Sequence, residues 1–194
     1  MLYRIGRLLF RILFAVLYRL RAIGREHVPA DGAVVLCANH TSFWDPPVLG
    51  TPLPRKVHFM AKAELFDIPV LGFLIARVGA FPVKRGGVSR ESIRLAVSLL
   101  KEGSVVGIFP EGTRSNAGGT GQKGAASLAL KSGAIVIPVA IIGDYKLFRR
   151  MTIVYGKPLD MSEFAAASSE DLEKATERIM TTIRNMAEQY KLTR

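Results

Sequence analysis

A regular alternation of short β-rich runs with helical patterns is the feature that most constrains the fold of this chain. The runs consist mainly of aliphatic residues and are bounded by Gly, Pro or Asp, as strands usually are. The predicted strands are Ala33–Ala38, Val57–Ala61, Gly79–Val83, Ser104–Phe109, Ala134–Ile142 and Thr152–Tyr155. Since strands that alternate with helices form a mostly parallel or mixed sheet covered by helices, the sequence predicts an α/β domain over residues 25–194.

Three helices are predicted between and after the strands. They are Ser89–Lys101, about Lys123–Lys131, and a closing helix that follows Ser168 and extends to about Tyr190. The first two are each followed by a glycine, which is typical of a helix end. In the third, apolar residues recur every three or four positions, so one face is predicted to pack on the sheet. Active sites of such folds gather in loops beyond the strand ends, and the polar motifs of this chain lie there.

The amino-terminal segment is strongly basic. Residues 1–25 contain six arginines and no acidic residue. On a helix over about residues 1–21, the side chains of Arg4, Arg7 and Arg11 share one narrow stripe, and apolar residues fill most of the remaining surface. The longest uninterrupted apolar run has seven residues, whereas spanning a bilayer takes ~20. The pattern therefore predicts an amphipathic helix that lies on a membrane surface, with its arginines reaching lipid phosphates.

Two other interpretations of the segment 1–24 stay open. A signal peptide also combines early basic residues with an apolar stretch, but here Arg19 and Arg21 follow that stretch and no small-residue cleavage site is evident. A helix packed on the core of its own domain is the other alternative. The interfacial helix accounts for both the arginines and the apolar surface, so we expect peripheral or monotopic attachment at the cytoplasmic face of the cell membrane.

Composition limits the partners of the chain. An apolar share of 49% is enough to build a core, and the net charge of +11 calls for an anionic partner. No nucleic-acid-binding motif is recognisable, and aromatic residues do not interleave with a basic stripe, so a membrane surface or an acidic substrate is favoured.

The single cysteine, Cys37, cannot form an internal disulfide and indicates a reducing compartment. The histidines show no paired spacing typical of metal ligands, so no metal is expected.

The first polar motif is Asn39–Asp45, directly after the predicted strand that ends at Ala38. The imidazole of His40 can accept a proton at neutral pH if another group holds its second nitrogen. Asp45 can hold the second nitrogen if the segment between the two residues turns back. His40 and Asp45 would then resemble the base and the orienting residue of a serine-hydrolase triad, without the serine. Alternatively, Asp45 caps a short helix before two prolines, and His40 is an ordinary loop histidine.

The second motif, Phe109–Ser115, also follows an apolar strand. Gly112 allows close approach of the backbone, and the guanidinium of Arg114 can meet two phosphate oxygens at once. Glu111 is placed to hold a substrate hydroxyl or to position Arg114. The alternative is a simple turn with an exposed ion pair, which contributes little to stability. The crowding of polar residues after a buried strand favours a site.

Two weaker signals accompany these motifs. Lys84 and Arg85 follow a predicted strand and precede two glycines, an arrangement that suits an anion but is also common on solvated surfaces. The run Val136–Ala140 is an apolar strand interrupted by a proline, which indicates a strand at the sheet edge or a bulge beside a pocket.

Together the motifs resemble the glycerolipid acyltransferase family. The family pattern places N-H-x4-D, G-x-x-F/P-x-x-R, F-P-E-G-T-R-S and a V-P-V-like strand in this order. The matching segments here are Asn39–Asp45, Gly79–Arg85, Phe109–Ser115 and Ile137–Val139. Lys62–Phe66 is also similar to a stretch often seen between the motifs. The resemblance covers roughly residues 25–160, and it implies the family's mixed α/β fold and an acyltransferase activity.

The resemblance also implies roles for individual residues. His40 would act as general base on the acceptor hydroxyl, with Asp45 orienting it. The remaining residues would bind the substrate: Arg85 and Arg114 the acceptor phosphate, Glu111 and Gly112 the glycerol backbone, with Thr113, Lys84 and Lys62 completing the site. The acyl donor would be a thioester of coenzyme A or of acyl carrier protein, and no cofactor is expected.

The expected reaction is acylation of lysophosphatidic acid to phosphatidic acid. The same chemistry on glycerol 3-phosphate, a lysophospholipid or a lyso-aminolipid is the nearest alternative, because the motifs do not distinguish these acceptors. An alternative of another class is a non-catalytic module that binds anionic lipid through its basic helix. Such a module has no need for His40 and Asp45, yet both are present.

Overall fold

A single sheet of seven strands forms the centre of the molecule within the part of the chain that the structure describes. The structure is a computed structural model that describes residues 2–83, 90–112, 121–164 and 166–192. The strands are β1 (Arg21–Ile23), β2 (Val34–Ala38), β3 (Val57–Lys62), β4 (Ala80–Val83), β5 (Val105–Ile108), β6 (Ile135–Ile142) and β7 (Thr152–Tyr155). Six of them overlap the predicted strands, whereas β1 was not predicted.

The strand order is β1-β7-β6-β2-β5-β3-β4. All neighbouring strands are parallel except β6 and β7, which run antiparallel. The prediction of a mostly parallel or mixed sheet is thereby confirmed. Because β2 lies in the middle, its carboxyl end is flanked by the carboxyl ends of β5 and β6, and these three ends carry the candidate site.

Helices cover both faces of the sheet. Those in the described residues are α1 (Leu2–Leu17), α2 (Asp45–Gly50), α3 (Pro69–Arg77), α4 (Arg90–Lys101), α5 (Gly124–Ser132) and α6 (Ser169–Leu192). The predicted helices correspond to α1, α4, α5 and α6. The helix α3 was not predicted; it begins at Pro69, and proline is tolerated in a first helical turn because its missing N–H would have no partner there.

Alternate residues of β2 divide the core into two layers. Val34, Leu36 and Ala38 pack with α1 and α2 on one face of the sheet. Val35 and Cys37 pack with residues of α5 and α6 on the other. All five side chains are fully buried, which follows from the two-residue side-chain period of a strand covered on both faces. Cys37 is therefore a packing residue of the core.

Helix α1 is shorter than predicted and packs on the core. It ends at Leu17, and Arg21–Ile23, whose start was assigned to this helix, forms β1 by pairing with Thr152–Val154 of β7. Phe14 is fully buried. Arg7 donates two hydrogen bonds to the carbonyl oxygens of Leu53 and Pro54, at 2.8 Å and 2.6 Å. Its guanidinium therefore binds the protein itself, although the sequence placed it among the lipid-facing arginines.

The opposite face of α1 is apolar and exposed. The five residues of this α1 stripe are between 45% and 62% exposed: Ile5, Leu8, Leu9, Ile12 and Val16. Each of them lies three or four positions from another member of the stripe, which keeps them on one side of the helix. Helix α1 thus packs on the core with one side and exposes apolar residues on the other. The interpretation as a helix packed on its own domain holds for the first side, and membrane attachment through the second side stays a prediction. None of the described helices combines the length and apolarity needed to cross a bilayer.

Candidate active site

The candidate site lies at the carboxyl edge of β2, β5 and β6. Asn39 follows β2 directly, and its side chain forms two hydrogen bonds with the backbone of Ile141 in β6. The Nδ2 group donates to the Ile141 carbonyl oxygen at 2.9 Å, and Oδ1 accepts from the Ile141 N–H at 2.7 Å. An amide side chain matches a peptide group in this way because it carries one donor and one acceptor side by side. The contact fixes the chain just before His40.

His40 and Asp45 form a hydrogen-bonded pair. The Nδ1 of His40 lies 2.8 Å from Oδ2 of Asp45, and the Asp45 carboxylate is completely buried. The same oxygen accepts the backbone N–H groups of Thr41 and Ser42, at 2.6 Å and 2.7 Å. These bonds turn the segment back on itself, as the sequence required. Asp45 is also the first residue of α2, so it begins a short helix and orients the imidazole.

Tyr145 is a member of this site that the sequence did not predict. Its hydroxyl donates to Oδ1 of Asp45 at 2.5 Å, and its ring meets that of Tyr18 edge-on at 5.6 Å. Burial and the adjacent Asp45 charge raise the pKa of the phenol, so it remains a donor. The available signal was its position three residues after β6, the strand beside β2, but sequence alone does not reveal that adjacency.

Glu111 and Phe109, from the segment after β5, support His40 from the other side. Glu111 is buried, with an exposed fraction of 3%, and its carboxylate accepts a hydrogen bond from the backbone N–H of His40 at 2.8 Å. The ring of Phe109 stacks on the imidazole with 4.1 Å between centroids. The motifs Asn39–Asp45 and Phe109–Ser115 are therefore joined by a direct contact. This positioning contact of Glu111 was not predicted.

Gly112 occupies a backbone conformation that favours glycine. Its φ is +74°, and a Cβ atom there would lie 2.4 Å from Nε2 of Gln122.

Lys62 is exposed at the carboxyl end of β3, two strands from β2. The other predicted substrate-binding residues, Lys84, Arg85, Thr113 and Arg114, lie outside the described residues. Within the described ranges there is no group of three His, Cys, Asp or Glu side chains able to hold a metal ion.

The geometry fixes which nitrogen of His40 can accept a proton. A carboxylate accepts hydrogen bonds, so Nδ1 carries the proton that is donated to Asp45, and Nε2 is left with a lone pair. The His40 side chain is 17% exposed, which lets a substrate reach it while most of the ring is shielded from water. A histidine held in this way can accept a proton from a hydroxyl group, as general-base catalysis requires.

Comparison with known proteins identifies the family. The profile of the family described as Acyltransferase matches residues 19–142. The chain is 35% identical over 173 residues to 1-acyl-sn-glycerol-3-phosphate acyltransferase of Bacillus subtilis, covering 86% of this chain and 87% of that one. It is 31% identical over 170 residues to the enzyme of the same name from Streptococcus pneumoniae, covering 83% and 63% of the two chains.

A solved structure gives the same result. The crystal structure of the 1-acyl-sn-glycerophosphate (LPA) acyltransferase PlsC from Thermotoga maritima superposes with a TM-score of 0.74 at 28% identity, covering 98% of this chain and 78% of that one. The chain belongs to the acyltransferase family. The resemblance drawn from its four motifs is confirmed, and so is its assignment as an enzyme.

Proposed function

We propose that the protein transfers a fatty acyl group from an acyl thioester to the free hydroxyl of 1-acyl-glycerol 3-phosphate, giving phosphatidic acid. The observation that carries this proposal is the His40–Asp45 pair at the carboxyl edge of the sheet, with Nε2 of His40 free of the Asp45 contact. The relatives named 1-acyl-sn-glycerol-3-phosphate acyltransferase support the acceptor, since one of them aligns with most of this chain.

In the proposed reaction, Nε2 of His40 removes the proton from the acceptor hydroxyl as the oxygen attacks the thioester carbonyl. The resulting imidazolium is held in place by Asp45. Collapse of the tetrahedral intermediate breaks the carbon–sulfur bond, forms the new ester, and returns the proton from His40 to the departing thiolate. Acyl transfer is thus direct. Cys37 is not a candidate for an acyl-enzyme, because it is buried and burial raises the pKa of its thiol to about 12.

The acceptor phosphate is assigned to Arg85 and Arg114, with Lys84 and Thr113 beside them in sequence and Lys62 at the end of β3. A guanidinium meets a phosphate with paired hydrogen bonds, which an ammonium group does not reproduce. Glu111 and Gly112 would position the glycerol backbone, in addition to the contact that Glu111 makes with His40. The donor is a thioester of coenzyme A or of acyl carrier protein.

Both the acceptor and the product are membrane lipids, so the enzyme is proposed to work at the cytoplasmic face of the membrane. The α1 stripe is the proposed attachment surface. Its exposed Ile5, Leu8, Leu9, Ile12 and Val16 side chains would enter the boundary between headgroups and acyl chains. Arg4 and Arg11, which are exposed on the same helix, would interact with lipid phosphates.

The test is an assay of purified protein with both thioester donors and a panel of acceptors. The panel contains lysophosphatidic acid, glycerol 3-phosphate, a phosphodiester lysophospholipid and monoacylglycerol. We expect lysophosphatidic acid to give the highest kcat/KM. His40→Ala should lower kcat by ~10²–10⁴-fold, the usual contribution of a general base, with little change in melting temperature.

Three outcomes would contradict the proposal. A preference for the phosphodiester lysolipid would move the function to remodelling of lysophospholipids. A His40→Ala variant that keeps a third of wild-type turnover would show that His40 is not the base. Binding to anionic vesicles without acyl transfer to any acceptor would identify a non-catalytic lipid-binding module.

A further inference from the structure

The connection between β6 and β7, residues 143–151, exposes two large apolar side chains. Leu147 is 59% exposed and Phe148 is 66% exposed. Exposing a leucine and a phenylalanine side by side is unfavourable in water, and such patches commonly mark interaction surfaces. Neither residue takes part in the site formed by His40, Asp45 and Tyr145.

The backbone of this connection is held firmly although its tip is exposed. Tyr145 near its start is bonded to Asp45, and Met151 at its end is fully buried. Between them, the N–H of Phe148 donates to the carbonyl oxygen of Leu17 at 2.6 Å, which ties the tip to the end of α1. The exposed side chains are thus presented on a fixed backbone.

Phe148 also adopts an unfavourable backbone conformation. Its φ is +60°, and Arg19, just past the end of α1, has a φ of +45°. A positive φ is an unfavourable backbone conformation for residues other than glycine, asparagine and aspartate. It persists where surrounding contacts enforce it. At Phe148 the constraint holds an aromatic ring out into solvent, where it gains nothing from the protein's own core.

The charges around the tip are positive. Lys146, Arg149 and Arg150 flank the two apolar residues in sequence. Together with Arg19 and Lys191 they line a cleft of about 740 Å³ that reaches Asn39 and Thr41, the neighbours of His40. The one acidic residue of the lining is Asp144, which lies 3.7 Å from Lys146. Exposed apolar side chains flanked by cations are complementary to an anionic bilayer, with its acyl interior and negative headgroups.

We propose that the β6–β7 connection is a second membrane contact, in which Leu147 and Phe148 insert between anionic lipids and the flanking cations bind their headgroups. The contact adjoins the end of α1, because the N–H of Phe148 is bonded to the carbonyl oxygen of Leu17. A single helix on the membrane leaves the domain free to rotate about the helix axis, whereas a helix and a second contact together fix the orientation of the domain. The two contacts would turn the carboxyl edge of the sheet, with His40, toward the lipid. The inference rests on the proposed membrane attachment but not on the identity of the acceptor.

The test compares wild type with Leu147→Ser/Phe148→Asn in sedimentation with vesicles of phosphatidylglycerol and phosphatidylcholine. Asparagine tolerates a positive φ, so the melting temperature should be unchanged or slightly higher. Losing two inserted apolar side chains should weaken vesicle binding by about tenfold or more. The matched control is Leu95→Ser. Leu95 is 42% exposed and lies on α4, which packs on β4, β5 and α5. The control variant should bind the vesicles as wild type does.

A second measurement does not depend on weakened binding. Phe148→Cys is labelled with a polarity-sensitive fluorophore, and buried Cys37 remains unlabelled in the folded protein. Anionic vesicles should shift the emission of the label at position 148 to shorter wavelength and leave a label on Leu95→Cys unchanged. An unshifted label at position 148, or wild-type vesicle binding by the double variant, would overturn the inference.

Activity in neutral detergent micelles distinguishes this inference from the proposed function. The double variant should retain wild-type kcat and donor KM there, because Leu147 and Phe148 lie outside the catalytic machinery. Normal vesicle binding combined with a raised donor KM would assign the connection to the thioester donor and overturn the membrane contact. A wild-type protein that binds vesicles through position 148 but transfers no acyl group would refute the function alone.

Discussion

Tyr145 is the residue whose role was least accessible from the sequence. It lies 100 positions from Asp45, yet its hydroxyl is bonded to the carboxylate that holds His40. By occupying Oδ1, it leaves Oδ2 to face the imidazole and the two backbone N–H groups of the turn. Tyr145 acts through Asp45 and is therefore a positioning residue.

Tyr145→Phe should lower kcat about tenfold or more, because a hydrogen bond to a charged group contributes ~1.5–3 kcal/mol. The KM for the acceptor should change little, since the phenylalanine ring still packs on Tyr18. The measurement is a steady-state comparison with both substrates varied.

The matched control is Tyr155→Phe, which removes another tyrosine hydroxyl, one that donates to the Leu49 carbonyl oxygen at 2.7 Å. It should reduce the free energy of unfolding by ~0.5–1.5 kcal/mol and leave kcat near that of wild type. Equal losses of kcat in both variants would show that Tyr145 affects activity only through stability.

At the scale of elements, α1 combines a buried face and an exposed apolar face, which the sequence could not tell apart. Its inner face includes Phe14, whose ring stacks on Phe10 with centroids 5.7 Å apart and is fully buried. Its outer face is the α1 stripe. Deleting the helix would remove both faces at once, so point substitutions are the informative experiment.

Phe14→Ala should reduce the free energy of unfolding by ~3–5 kcal/mol, the cost of a cavity left by a buried phenylalanine. Leu9→Ser, at a residue that is 62% exposed, should change it by less than ~0.5 kcal/mol but weaken binding to anionic vesicles. Chemical denaturation and vesicle sedimentation measure the two effects. A negligible loss of stability in Phe14→Ala would mean that α1 is not an integral part of the domain.

At the scale of the whole molecule, the sheet order determines how the substrates meet. His40, the proposed base, lies at the end of β2 in the middle of the sheet. The basic motifs proposed to bind the acceptor follow β5 and β4 in sequence, on one side of it. The cleft that contains Arg19 and Lys191 lies on the other side, beyond β6. The acceptor phosphate is therefore expected on the β5 side of His40.

Arg114→Lys tests the acceptor phosphate site. Loss of paired contacts worth ~1.5–3 kcal/mol should lower kcat/KM for lysophosphatidic acid by about 10–100-fold. Acylation of monoacylglycerol, which has no phosphate, should be slow in wild type and barely altered by the substitution. Losses of equal size on both acceptors would show that Arg114 supports the fold or the donor instead.

The local features of the fold were predictable from the sequence. Strands β2 to β7 and helices α4 to α6 follow from apolar periods and from glycines and prolines at their ends, all of which involve residues close together in the chain. Five positions are few enough for one turn to join Asp45 to His40, and the resemblance to the family implied that the two residues pair. Helix α1 was placed correctly at its start but extended too far, because the pairing of Arg21–Ile23 with β7 overrides its helical pattern.

Sequence by itself determined the α/β class, the His40–Asp45 pair and the family, because each is encoded by neighbouring residues or by motifs in a fixed order. Tertiary structure alone decided how the pair is supported. Asn39 meets Ile141 across 102 positions, and Glu111 meets the His40 backbone across 71. Such contacts depend on strand order and register, which a local pattern does not encode. The same dependence placed Tyr145 on Asp45, and it brought Phe148 beside the end of α1.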